Sequence, residues 1–140
     1  MDLDPIMYEP ILRSALAEDL GRAGDLTTSA IVPGDVAGLA RLVTRHAGTV
    51  AGLPVAARAF TILDDRIDVA PEVADGDALE AGSVLATVAG PAAGILTAER
   101  TALNLLCRLS GIATATAAIA EAIAPHRTKV VDTRKTTPGL

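Results

Sequence analysis

Aromatic side chains are almost missing from this 140-residue chain: it has one Tyr, Tyr8, one Phe, Phe60, and no Trp. Its core must therefore be built from Ala, Leu, Ile and Val, and alanine alone supplies a fifth of the residues. The same scarcity rules out the aromatic platforms on which single-stranded nucleic acid stacks. Half of the residues are apolar and 21% are charged, the composition of one globular domain. A net charge of −5 argues against a general attraction for DNA, RNA or an anionic membrane. Cys107 is the only cysteine, so neither a disulfide framework nor a cysteine-rich zinc site can form, and a reducing, cytoplasmic setting is expected. The start, MDLDPIMYEP, lacks the charged-then-apolar order of a signal peptide. No apolar run approaches the roughly 18 residues of a membrane span, so no membrane partner is expected.

Charge is distributed unevenly. Residues 126–140 carry Arg127, Lys129, Asp132, Arg134 and Lys135, a local net of +3 against −8 for the residues before them. Both lysines of the chain lie in this segment. A basic end of this kind suits an anionic small molecule, or is simply a solvated terminus.

The pattern of residues predicts an order of elements. Asp4-Pro5 is an N-cap followed by a first-turn proline, and Ile11, Leu12, Ala15, Leu16 and Leu20 then share one helical face up to Gly21. Gly24 to Thr28 reads as a polar loop leading into a cap. Residues 36–46 read as a strand with Ala40, Leu42, Thr44 and His46 on one face, and 49–52 as a short strand pairing back. Pro54 opens a helix over 55–63, stopped by Asp64-Asp65. Residues 66–90 hold short strands cut by Asp75-Gly76-Asp77 and Ala81-Gly82, which suits small antiparallel strands. A similar DG-x-L-x-x-G pattern occurs in biotinyl and lipoyl carriers, but these need a lysine at the hairpin, and none precedes Lys129. From Pro91 a helix carries Leu96, Leu103, Leu106 and Leu109, is broken at Ser110-Gly111, and gives way to an Ala-rich helix over 112–124. A buried strand is expected over 128–131.

Arg100, Asn104 and Arg108 recur at i, i+4 and i+8 on one helix face. Such arginine forks bind carboxylate or phosphate, or mark the solvent face of an amphipathic helix. Thr133-Arg134-Lys135-Thr136-Thr137 follows the expected strand, where α/β folds bind ligands, and places hydroxyls beside two cations. His46 and His126 have no metal-ligand spacing, so no metal site is expected. Cys107 beside the apolar stripe reads as a core thiol.

Taken together, several segments resemble one family. They are Glu18-Asp19-Leu20-Gly21 with Gly24-Asp25-Leu26-Thr27-Thr28; Gly48 to Leu53; Thr97-Ala98-Glu99-Arg100-Thr101-Ala102-Leu103-Asn104-Leu105-Leu106 on through Thr114; and Asp132-Thr133-Arg134-Lys135-Thr136-Thr137-Pro138-Gly139-Leu140. In order and spacing the chain is similar to quinolinate phosphoribosyltransferases, the carboxylating nicotinate-nucleotide pyrophosphorylases of NAD biosynthesis. The resemblance implies an enzyme, a pentosyltransferase, that joins quinolinate to phosphoribosyl pyrophosphate with Mg²⁺ and yields nicotinate mononucleotide, pyrophosphate and CO2. By motif, Arg134 would bind a substrate carboxylate and Lys135 would share its anionic pocket. Arg100 matches an arginine that reaches into the neighbouring subunit's site, and no residue is assigned as catalytic.

The family fold implies an α+β arrangement: an N-terminal α/β sandwich domain with a small antiparallel sheet over 1–125, then over 126–140 only the first strand of an α/β barrel. A whole barrel takes roughly 200 residues or more, so the chain is expected to be the N-terminal half of such an enzyme and inactive alone. The Mg²⁺ ligands are expected beyond Leu140. The implied assembly is a head-to-tail homodimer with the site shared between subunits. Two other readings stand beside this one: a paralogue acting on another acceptor, such as the molybdenum-associated relative, and a non-catalytic dimerising cap.

Overall fold

The computed structural model describes residues 3–137. Helix α1 (Pro5–Leu20) begins where Asp4 accepts a hydrogen bond from the Ile6 N–H, and ends at Gly21 in a positive-φ conformation. Its apolar face presents Leu12 and Leu16 to the interior, as the 3.6-residue spacing requires. A short helix α2 (Leu26–Ile31) follows, capped by Asp25. The loop expected at Gly24 to Thr28 is thus a turn and a helix start.

Strand β1 (Ala37–Val43) alternates as anticipated, with Leu42 buried and Arg41 exposed. It pairs antiparallel with β5 (Val84–Pro91), which in turn pairs antiparallel with β3 (Asp68–Pro71), giving the order β1-β5-β3. Opposite Leu42 stands Ala86, and opposite Ala40 stands Val88, so the buried faces coincide in register. The short strand expected at 49–52 is shorter and pairs elsewhere. Strand β2 (Gly48–Thr49) joins β4 (Ala78–Leu79) in a separate two-stranded sheet. The turn at 75–77 brings this about: Val50 N–H donates to the Asp77 carbonyl and Gly76 N–H to the Val50 carbonyl.

Helix α3 (Leu53–Leu63) packs against the long helix α4 (Ala92–Ile123), and α1 lies against both. Phe60, Leu12, Val50 and Val88 are fully buried at the centre. The rest of the core is aliphatic, as the shortage of aromatics demands.

Four expectations fail here. The helix does not break at Ser110-Gly111; α4 runs for 32 residues through both. Ser110 Oγ accepts from the Ala51 N–H at 3.1 Å and donates to the Ala51 carbonyl, and Thr114 Oγ1 accepts from the Thr49 N–H at 2.9 Å. These tertiary bonds offset the roughly 1 kcal/mol that a mid-helix glycine costs. As one helix, α4 is long and apolar enough to cross a membrane by length and composition, contrary to the expectation for two shorter ones. Its buried stripe is Ile95, Ala98, Thr101, Ala102 and Leu106, whereas Leu96 is exposed. Finally, the buried strand expected over 128–131 does not form: these residues are exposed and without β pairing among the described residues. A strand needs a neighbour to satisfy its backbone groups, and no described element supplies one.

Candidate functional site

Arg100 lies on the exposed side of α4, with Asn104 and Arg108 also exposed along it. The helical spacing is borne out, but the three side chains do different things. Arg100 Nη1 donates to Asp19 Oδ1 at 2.9 Å, linking α4 to the last turn of α1. Arg108 Nη2 donates to Thr137 Oγ1 at 2.6 Å, tying α4 to the tail that follows it. Asn104 makes no side-chain hydrogen bond among the described residues.

A second group of bonds sits beside Arg100. Asp25 accepts from the Thr28 N–H at 2.9 Å and from Thr28 Oγ1 at 2.6 Å, capping α2. The same carboxylate accepts from Thr97 Oγ1 at 3.1 Å, three residues before Arg100 on α4. The Asp25 carboxyl is held below its ordinary range, first by the Thr28 hydroxyl, then by the Thr28 N–H, with smaller help from Thr97 and from the Arg100 charge. The two sequence segments around Asp19–Thr28 and Thr97–Arg100 are therefore one bonded unit. Sequence spacing alone could not show this, because the residues lie more than seventy positions apart.

Arg134 and Lys135 are exposed on the tail, where Lys135 N–H donates to Thr133 Oγ1. Neither side chain forms an ion pair among the described residues. The Pro138-Gly139 turn expected to close this segment lies outside the described residues. Arg108, to which the resemblance gave no role, is the residue that ties this segment to α4. The visible signal was its place two turns along from Arg100 on the same face.

An open cleft of about 760 Å³ runs between β1 and α4, bordered by Arg41, Arg45, His46, Glu99, Cys107 and Ser110. Its floor is apolar, with Leu42, Phe60 and Leu106, and none of Arg100, Arg134 and Lys135 lines it. Cys107 is exposed at this edge and not in the core as expected. It stands one position past Leu106, about 100° around the helix from the buried stripe. No group of three or more His, Cys, Asp or Glu converges among the described residues.

The profile of the quinolinate phosphoribosyl transferase N-terminal domain matches residues 25–110. The chain belongs to the quinolinate phosphoribosyltransferase family. A probable carboxylating nicotinate-nucleotide pyrophosphorylase of Synechocystis is 47% identical over 135 residues, which are 96% of this chain and 45% of that protein. The Mycobacterium leprae nicotinate-nucleotide pyrophosphorylase is 45% identical over 92% of this chain and 46% of its own length. The crystal structure of NadC from Streptococcus pyogenes superposes with a TM-score of 0.94 at 41% identity, covering 99% of this chain and 49% of that one. The chain spans about half the length of the relatives it matches. The α+β fold of this family member, with its small antiparallel sheet, is the one anticipated from the motifs.

Proposed function

We propose that this chain takes part in phosphoribosyl transfer from phosphoribosyl pyrophosphate to quinolinate, with loss of CO2, in the synthesis of nicotinate mononucleotide. Both substrates are polyanions, and a site for them needs fixed cations facing solvent. The observation that carries the reading is Arg100: its side chain is 71% exposed although one of its guanidinium N–H groups is anchored on Asp19. An anchored yet open arginine can offer two parallel N–H groups to a carboxylate or phosphate. Arg134 and Lys135 supply the other two cations, Arg134 toward a quinolinate carboxylate and Lys135 toward either substrate. Such positioned charges stabilise the pyrophosphate that leaves as the pyridine nitrogen bonds to the ribose.

The described residues do not fit a resident metal site, since no acidic cluster gathers. The family reaction brings Mg²⁺ in with phosphoribosyl pyrophosphate, and no step here is assigned to it. The family motif supports a homodimer in which one copy lends Arg100 to the site of the other, which holds Arg134 and Lys135. A cytoplasmic location suits a chain with an exposed free thiol.

The test is a chimera in which residues 1–140 replace the matching half of the Synechocystis relative. Quinolinate-dependent formation of nicotinate mononucleotide is expected, with little product from nicotinate. Arg134→Ala is expected to lower turnover by about a hundredfold or more. A folded chimera that ignores quinolinate, or uses nicotinate equally well, overturns the reading.

A second reading, a dimerising cap without catalysis, has its own observation. Ile112 and Ile119 are more than half exposed on the Ala-rich outer part of α4, a surface that suits a partner helix. Sedimentation of the 140-residue chain as a discrete dimer with no affinity for quinolinate favours this cap.

A further inference from the structure

Helix α1 ends on two acids, Glu18 and Asp19, with no basic residue in its last turn. That choice opposes the helix dipole, whose negative end disfavours carboxylates there by a few tenths of a kcal/mol or more. Local rules of this kind are broken mainly at functional positions. The compensating cation is Arg100, which comes from α4 and stands eighty-one residues away in sequence. The bond is monodentate: only Nη1 reaches Asp19, and Nε and Nη2 donate to no described residue. Asp19 is mostly covered, with 21% of its side chain exposed, while Arg100 is open. The carboxylate thus holds the guanidinium from behind and leaves its bidentate edge outward. Asp25 reinforces the same corner by bonding Thr97 one turn before Arg100.

We infer that Asp19 is the positioning residue of Arg100, aiming its free N–H pair at the anionic substrate. This rests on the reading of Arg100 as a substrate-binding residue. The inference has a sign that distinguishes it from the alternative. If Asp19 were only a counter-ion that the substrate must displace, neutralising it would raise the local positive potential and tighten anion binding. If it positions Arg100, neutralising it weakens binding in spite of the extra positive charge.

The experiment uses the chimera of residues 1–140 with the remaining half of the Synechocystis relative, labelled with ¹⁵N at arginine, with quinolinate as the probe. The Arg100 Nε–H resonance and the rotation of its guanidinium are followed by NMR. In wild type, the resonance is expected to report hindered rotation and to shift on addition of quinolinate. In Asp19→Asn, rotation is expected to become free and the dissociation constant read at Arg100 to rise about two- to fivefold. Asp19→Glu restores the charge and is expected to recover part of the loss. Asp35→Asn removes the same charge from an exposed loop and is expected to change neither readout. An unchanged thermal midpoint for Asp19→Asn shows that the variant is folded, and if it is not, Asp19→Glu carries the test through its intermediate rotation rate. Equal or tighter quinolinate binding by a folded Asp19→Asn, or unaltered Arg100 rotation, overturns the inference. A wild-type chain whose Arg100 resonance ignores quinolinate altogether overturns the substrate reading of Arg100, and the positioning role falls with it.

Discussion

The two halves of helix α4 present opposite surfaces. From Ala92 to Ser110 it lies against α3, β1 and β5, and every fully buried residue of the helix falls in this part. From Gly111 to Ile123 it is nearly all exposed, and only Thr114 holds it to β2. The first half is stabilised by burial, while the second presents uncovered Ala and Ile. The cations assigned to substrate follow the same division. Arg100 projects outward from the packed half, held by Asp19, whereas Arg134 and Lys135 lie on the uncovered tail beyond the second half. The core thus closes on the first half of α4 and leaves the second half as open surface.

The comparison is broken most severely by deleting the central aromatic. Phe60→Ala should cost about 3–5 kcal/mol, while Ile119→Ala on the outer half should cost less than about 0.5 kcal/mol. Urea unfolding of the two variants checks the contrast, and similar losses would mean that the outer half is also packed. Next in size is Asp75. Its two oxygens accept from the Gly52 and Leu53 N–H groups at 2.8 and 2.9 Å, capping α3 from another loop. Asp75→Ala should lower stability by about 1–2 kcal/mol in the same assay.

These two residues also show how far the sequence could be read. The helix that holds Phe60 was legible from Pro54 and the Asp64-Asp65 stop, but its central burial was not, because the scarcity of aromatics pointed to a core of Ala, Leu, Ile and Val. Asp75 was legible only as part of a turn, since its role depends on Gly52, which reaches it through folding. At Gly52, φ is +85° and a Cβ would run into Leu109, so glycine is required for packing as well as for the cap. The run of α4 through Ser110-Gly111 was hidden for a similar reason: the compensating bonds come from residues 49 and 51. Local propensity identified α1, α3 and the strand within 36–46, where each element's own pattern decides. It missed the pairing of β2, the continuity of α4 and the exposure of Cys107, which are decided between elements. Of the candidate site, Arg100, Arg134 and Lys135 were proposed from motifs, but the hold of Asp19 on Arg100 and of Arg108 on Thr137 was not visible.

Arg108→Ala should leave the thermal midpoint almost unchanged and speed amide exchange at residues 133–137, because it removes one exposed bond between α4 and the tail. Unchanged exchange would detach the tail from α4. The smallest effect concerns acid. Arg66 donates to Asp64 through its side chain and backbone and lowers that carboxyl to about 2 from an ordinary 3.8. Because the folded value is depressed, this contribution is complete above the unfolded pKa and is lost as pH falls from about 4 toward 2. Asp25, lowered mainly by Thr28, acts in the same direction. Asp64→Asn should therefore flatten the fall of stability with acid in that window and leave its slope near neutrality unchanged. A wild-type slope below pH 4 would contradict the pairing.

The measurement that bears most directly on the account mixes two inactive subunits. Arg100→Ala and Arg134→Ala are placed in separate copies of the chimera, each is shown to be inactive alone, and the two are then combined. If Arg100 of one copy serves the site that holds Arg134 of the other, half of the random dimers regain one intact site, and turnover should recover to about a quarter of the unmutated value. Mixed dimers that form and remain inactive would contradict a site shared between the two copies.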